Sequence, residues 1–193
     1  MKTALKLLAV GVTAFFWSCN GQQSKDTTSR ADSTNEAMID SSQSAGTPPA
    51  IAEKDARFAV DAANGGMAEV QLGEMAQNKS TNPGVKEFGK MMVTDHSKAN
   101  DELKMIAAGK NITLPAAPGD EMQKVAADLS SKNGADFDKA YIKQMVEDHK
   151  KTIRLFENAQ QDVQDNDIRA FAVKTLPVLR SHLKHIESLE KTK

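Results

Sequence analysis

The feature that most constrains the fold is an apolar stripe that recurs in four long segments, at steps of three and four residues. This spacing places the stripe on one face of an α-helix, and no segment alternates with the period of two that is typical of a half-buried strand. The first two segments are separated by Thr81-Asn82-Pro83-Gly84, in which Asn82 is a good N-cap and Pro83 a good first helical residue. The stripes are Phe58, Ala62, Gly65, Glu69, Leu72, Ala76; Val85, Gly89, Met92, His96, Ala99, Leu103, Ile106; Ile142, Val146, His149, Ile153, Phe156; and Ile168, Ala172, Thr175, Leu179, His182, Ile186, Leu189.

Four such helices joined by tight turns predict an all-α domain over residues 51–193, built as a four-helix bundle. The second helix should end near Gly109, and residues 120–129 should form a short extra helix in the central connector, before the break at Asn133-Gly134. Pro177 lies inside the last stripe, where it should bend the helix. Aromatic residues are only 5% of the chain, and a core of Ala, Leu, Val and Met suits packed helices better than a β-sandwich.

The first 18 residues have the features of a secretory signal peptide: Lys2 and Lys6, then a mostly apolar run of residues 7–17 that is too short to span a bilayer. Cys19, the only cysteine, stands where cleavage would fall, and the site resembles the lipobox of bacterial lipoproteins. Acylation at Cys19 would anchor the chain to a membrane. The alternative is an ordinary cleaved signal followed by a chance cysteine.

Residues 19–50 are rich in Ser, Thr, Asn, Gln and Asp, and we expect a lipid-anchored, disordered linker there. This arrangement predicts a lipoprotein of the cell envelope, in the outer membrane and facing the periplasm or the surface. The charge balance of 25 Lys and Arg against 26 Asp and Glu argues against a nucleic-acid partner, because phosphate neutralisation needs an excess of basic residues.

Four titratable side chains interrupt the apolar stripes, one from each long helix: Glu69, His96, His149 and His182. At 1.5 Å per residue, Glu69 and His96 lie roughly 20 Å from the turn at Asn82. His149 and His182 lie roughly 22 and 27 Å from the next turn, near Gln164. All four should therefore meet near mid-height in an antiparallel bundle.

This inward layer allows two interpretations. A buried carboxylate beside three imidazoles suits one transition metal ion, either Fe, Cu, Zn or Mn, held by Glu69, His96, His149 and His182. The same groups could instead form a metal-free polar network. An internal repeat adds candidates around this layer. Asp95 and Asp148 precede two of the histidines and could either fix an imidazole tautomer as outer-layer partners or join as ligands. Met92 and Met145 lie one helical turn before the same histidines, where thioethers would suit Cu(I) or simply fill the core.

Three segments resemble the bacterial envelope family called domain of unknown function 4142. They are GGMAEVQLGEMAQNKSTNPGVKEFGKMMVTDHSKANDELKMIAAGKNITLP (residues 65–115), FDKAYIKQMVEDHKKTIRLFENA (137–159) and TLPVLRSHLKHIESL (175–189). The resemblance spans about residues 52–190 and implies a ferritin-like fold with Glu69, His96, His149 and His182 as its polar core. The chain lacks the Glu-x-x-His pairs and bridging carboxylates of di-iron ferritins, which argues against ferroxidase activity.

We expect a non-enzymatic, metal-binding envelope protein that buffers or senses the ion. One alternative is a structural or stress-related module that binds another envelope protein and has a metal-free core. Another is an oxidoreductase that acts on reactive oxygen through an open coordination position on the metal. No nucleophile elbow or Gly-rich phosphate loop is present, and we therefore assign no catalytic residue.

Overall fold

In a computed structural model, which describes residues 26–48 and 50–191, the chain is all-helical over these ranges. The helices are α1 (Thr27–Ser44), α2 (Glu53–Lys79), α3 (Pro83–Gly109), α4 (Asp120–Ser130), α5 (Gly134–Asp162) and α6 (Asn166–Lys191). The long helices α2, α3, α5 and α6 form the predicted bundle, in which α2 packs chiefly on α3 and α5 packs chiefly on α6. The short helix α4 lies against α2 and α5.

The predicted turn between α2 and α3 is confirmed in detail. The side chain of Asn82 accepts hydrogen bonds from the backbone N–H groups of Gly84, at 2.8 Å, and Val85, at 3.4 Å. Pro83 is the first residue of α3, where its missing N–H has no consequence. The predicted helix end at Gly109 and the break at Asn133-Gly134 are confirmed as well.

Buried carboxylates fasten the ends of the bundle. Asp55 is 1% exposed and accepts hydrogen bonds from the backbone N–H groups of Gln164 and Asp165, which ties the α5–α6 turn to the first turn of α2. At the other end, buried Asp138 accepts hydrogen bonds from the hydroxyls of Ser80 and Thr81. Both acids hold turns in place, which fixes the height at which the helices face one another.

Helices α2 and α3 approach closely where Gly73 meets Gly89. A Cβ atom on Gly73 would lie 2.6 Å from the backbone oxygen of Gly89, and one on Gly89 would lie 2.6 Å from the oxygen of Gly73. Only glycine lets two helix backbones come this near. The contact brings α3, which carries His96, tightly against α2.

The prediction of a disordered linker was wrong for residues 27–44, which form α1. The helix packs on α2 and buries Ala31, Asn35 and Ile39. The side chain of Asn35 bonds both backbone groups of Thr113: its Nδ2 donates to the carbonyl at 3.0 Å, and its Oδ1 accepts from the N–H at 2.8 Å. A polar helix with few apolar residues is thus held by hydrogen bonds to the distant connector, a contact that local composition does not reveal.

The described part of the chain contains no helix that is both long and apolar enough to cross a bilayer. The predicted signal peptide and the lipidation site at Cys19 lie outside the described residues. Helix α6 continues through Pro177 as one helix, and the bend expected there stays a prediction.

Candidate metal centre

Three histidines from three different helices converge in the middle of the bundle. His96 of α3, His149 of α5 and His182 of α6 are 6%, 0% and 2% exposed. Their ring centroids lie 5.4 to 6.0 Å apart. One nitrogen atom from each ring can be chosen so that all three lie within 4.8 Å of one another. The convergence of the three imidazoles that the stripes predicted is therefore present in the fold.

The hydrogen bonds of two rings determine which nitrogen carries the proton. Nδ1 of His149 lies 2.8 Å from the carbonyl oxygen of Met145, which only accepts, so this nitrogen carries the proton and Nε2 holds the lone pair. Nε2 of His182 lies 2.9 Å from a carboxylate oxygen of Asp95, so this nitrogen is the donor and Nδ1 holds the lone pair. The two rings thus use opposite tautomers.

Each of the three rings also has a buried nitrogen without a hydrogen-bond partner among the described residues. These atoms are Nε2 of His96, Nε2 of His149 and Nδ1 of His182. For His149 and His182 they are the nitrogens that hold the lone pair. Buried polar atoms without partners are rare in folded proteins and destabilise them. Three of them on converging rings form a set of donors suited to a metal ion, since neutral imidazole nitrogen is a common ligand of Zn, Cu, Fe and Ni.

Burial keeps these rings neutral. Burial, reinforced by the neighbouring imidazoles, lowers the pKa of His96 to about 3 and that of His149 to about 4. Burial also lowers the pKa of His182, although the adjacent Asp95 carboxylate opposes the shift. The lone pairs are consequently available near neutral pH without the removal of a proton.

Glu69, the fourth predicted ligand, is buried but is not brought into the group of three. Its Oε1 lies 3.6 Å from Nδ1 of His149, the nitrogen that already donates to Met145. Burial, together with the nearby charge of Asp148, raises the pKa of Glu69 well above its usual value. The carboxyl therefore lies behind the ring of His149, on the side away from the lone pair.

The predicted outer-layer residues divide in two. Asp95 orients an imidazole, but that of His182 on another helix rather than its neighbour in sequence. Asp148 is instead hydrogen-bonded by the side-chain amide of Gln144, with both distances 3.0 Å. Met92 and Met145 are fully buried members of an apolar cluster, and Met145 contacts the site through its carbonyl oxygen.

Sequence reasoning missed Phe88, which packs against the histidines. Its ring centroid lies 5.9 Å from that of His149, 6.4 Å from that of His182 and 5.7 Å from that of the half-buried His185. Phe88 precedes Gly89 on the stripe of α3 and is fully buried. Phe88 therefore places an apolar ring against one side of His149 and His182.

Two solved structures share this fold. They are described as "CopM in the Cu(II)-bound form" and "CopM in the Cu(I)-bound form", with TM-scores of 0.61 and 0.60. The sequences are 17% and 16% identical to this chain, and each comparison covers 72% of this chain and 96% of CopM. At this identity the likeness concerns the fold alone.

A search of curated proteins gives no significant match. The family described as "Domain of unknown function (DUF4142)" matches residues 40–189, which include all six residues of the helical layer and its flanking acids: Glu69, Asp95, His96, Asp148, His149 and His182. The match confirms the resemblance seen in the sequence and extends it at the N-terminal side into α1. The chain belongs to the DUF4142 family.

Proposed function

We propose that this protein is a non-enzymatic metal-binding bundle that holds one copper ion on His96, His149 and His182. The observation that supports this most directly is the set of three buried, unpartnered imidazole nitrogens on neighbouring rings. A metal-free polar network would be expected to hydrogen-bond these atoms to one another or to other groups. An ion would satisfy all three together.

Copper is the metal that we favour within this proposal. Among divalent first-row ions, copper binds a given site of nitrogen donors most tightly, and the group contains no carboxylate that would favour Mg or Mn. The fold is also that of CopM, whose structures are described as holding Cu(II) and Cu(I). Zinc, which imidazole also suits, is the metal against which copper must be compared.

The surrounding residues would hold the rings ready for the ion. The Met145 carbonyl accepts a hydrogen bond from Nδ1 of His149, and the Asp95 carboxylate accepts one from Nε2 of His182. Such partners fix the tautomer and the orientation of a ligating ring. Phe88 would exclude water from one side.

We further propose that the protein buffers or senses this metal in the cell envelope, anchored through acylated Cys19. Support for this location comes from the charge, apolar run and cysteine position of residues 1–19. We infer buffering or sensing because the three imidazoles are suited to holding an ion and we assign no catalytic residue beside them.

Metal titration of the full chain in mild detergent, after removal of bound metal with a chelator, tests the proposal. We expect one equivalent of copper per chain, bound more tightly than zinc. Replacement of His96 or His149 by alanine should abolish this binding. The matched control is His185→Ala, which removes a half-buried histidine of the same helix as His182.

A paired acid experiment tests the role of the carboxylate partner. Asp95→Asn should weaken copper binding by about 10- to 100-fold, the usual effect of losing a partner of a ligating histidine. Asp148→Asn should have a smaller effect, because Asp148 bonds Gln144 rather than an imidazole.

Absence of a tightly bound metal, or equal binding by wild type and His149→Ala, would favour the metal-free polar core.

A further inference from the structure

Two clefts lead from the surface towards the three histidines. The α3–α6 cleft, of about 140 Å³, is lined by His96 and His182 themselves. The α2–α5 cleft, of about 340 Å³, is lined by Glu69, Asp148 and Thr152 but by none of the three histidines. The larger cleft is therefore not the one that reaches the imidazole group.

The orientation of His149 explains why the α2–α5 cleft does not reach the lone pair of this ring. Glu69, which lines this cleft, lies beside Nδ1 of His149. That nitrogen carries a proton and donates a hydrogen bond to the Met145 carbonyl. A cation arriving from this side would meet an N–H group and the back of the ring, and not a lone pair.

The α3–α6 cleft offers the opposite arrangement. Its wall includes Asp95, whose side chain is 40% exposed and hydrogen-bonds His182 at 2.9 Å. A carboxylate that is both in reach of solvent and in contact with a ligating ring is a natural first contact for a cation. At the same cleft, Lys174 of α6 forms an ion pair with both carboxylate oxygens of Glu102 of α3, at 2.8 and 2.7 Å, which ties the two walls together.

We propose that the α3–α6 cleft is the port through which the metal ion enters and leaves the three-histidine site, with Asp95 as its first contact. This inference rests on the proposed function. A cleft of about 140 Å³ has room for several water molecules. It therefore has space for a partly hydrated ion or a small chelate.

Rates of copper uptake and release by the full chain test the port separately from the site. Val178 lines the cleft and is 40% exposed, so a Val178→Trp variant places a large side chain at its mouth. We expect uptake of Cu(II), followed by stopped-flow absorbance, and release to EDTA both to slow by about tenfold, equivalent to about 1.4 kcal/mol in the barrier. Because a port affects both directions equally, the dissociation constant should stay unchanged.

The matched control is Thr152→Trp, which narrows the α2–α5 cleft and should leave both rates unchanged. A second experiment does not depend on the folding of a tryptophan variant. The rates of Val178→Cys are measured before and after modification with a bulky thiol reagent. Wild type is treated in the same way as a control for modification at Cys19. Only modified Val178→Cys should be slow.

The outcomes separate the two proposals. Copper bound at one equivalent with unchanged rates in both blocked forms would overturn the port and leave the site intact. Slowing by Thr152→Trp instead of Val178→Trp would place the port in the α2–α5 cleft. A wild-type chain that binds no copper would overturn the function and the port together.

Discussion

Replacement of His96 by leucine should stabilise the metal-free protein while removing its ability to bind metal. The ring is 6% exposed, and its Nε2 has no hydrogen-bond partner among the described residues. Leucine is similar in volume and apolar. Unlike His149 and His182, the His96 ring bonds no carbonyl or carboxylate in the described part of the chain that its loss would leave unpaired. Removal of an unsatisfied buried polar atom should stabilise the fold by about 1–3 kcal/mol at pH 7.5.

The difference in stability between His96→Leu and wild type should increase as the pH falls. The pKa of His96 is about 3 in the folded protein and 6.5 in an unfolded chain, so the unfolded state binds more protons between these values. Above pH 6.5 the ring is neutral in both states and this linkage has no effect on stability, whereas the wild type is progressively destabilised as the pH falls from 6.5 towards 3. At pH 5 the wild type should have lost about 2 kcal/mol through this residue, at about 1.4 kcal/mol per pH unit. His96→Leu should not lose it.

Urea unfolding followed by circular dichroism, in EDTA at pH 7.5 and pH 5, measures both effects. At pH 7.5 the free energy of unfolding of His96→Leu should exceed that of wild type. At pH 5 this difference between the two proteins should be larger by about 2 kcal/mol. Acid lowers the stability of both proteins through other groups, but the difference between the two proteins reports His96. If metal-free His96→Leu is less stable than metal-free wild type at both pH values, the reasoning is refuted, because His96 would then stabilise the fold through contacts of its own.

Three further predictions concern the fold. Gly89→Ala should destabilise the bundle by about 1–3 kcal/mol, because its Cβ atom would meet the backbone oxygen of Gly73 at 2.6 Å; thermal unfolding measures this. Gly65→Ala, which meets nothing within 4 Å, should instead stabilise α2 by about 0.5–1 kcal/mol. Asn35→Ala should release α1 by removing both bonds to the Thr113 backbone, measured as faster hydrogen exchange over residues 27–44.

Each of these predictions has a control variant in the same region of the fold. Equal effects of alanine at Gly89 and Gly65 would show that the helix approach is not tight. For α1 the matched variant is Thr34→Ala, because the Thr34 hydroxyl donates a hydrogen bond to the carbonyl of Arg30 on its own helix. Unchanged exchange in Asn35→Ala would contradict the proposed fastening of α1.

The four long helices could be predicted because their evidence is local. A stripe at steps of three and four, an Asn-Pro cap at α3 and the break at Asn133-Gly134 each act within a few residues. The predicted helix α4 began at Asp120, as the structure shows. Helix α1 could not be predicted in this way, because Asn35 and its partner Thr113 are 78 residues apart.

The candidate site shows the same division. Periodicity placed His96, His149 and His182 on inward faces, and helix length alone predicted their similar height. It placed Glu69 inward as well, but a rise of 1.5 Å per residue says nothing about which side of a neighbouring ring a carboxyl occupies. The pairing of Asp95 with His182 joins α3 to α6, and no pattern within one helix contains it.

The sequence by itself determined the helices, their apolar faces and the presence of ionisable groups on those faces, because these depend on residue spacing along one rod. Only the tertiary structure decided that one nitrogen of each imidazole is buried without a partner among the described residues, and that Glu69 lies behind His149. Those facts depend on the rotation and separation of packed helices. Contacts such as Gly73 against Gly89, which no single helix contains, fix that packing.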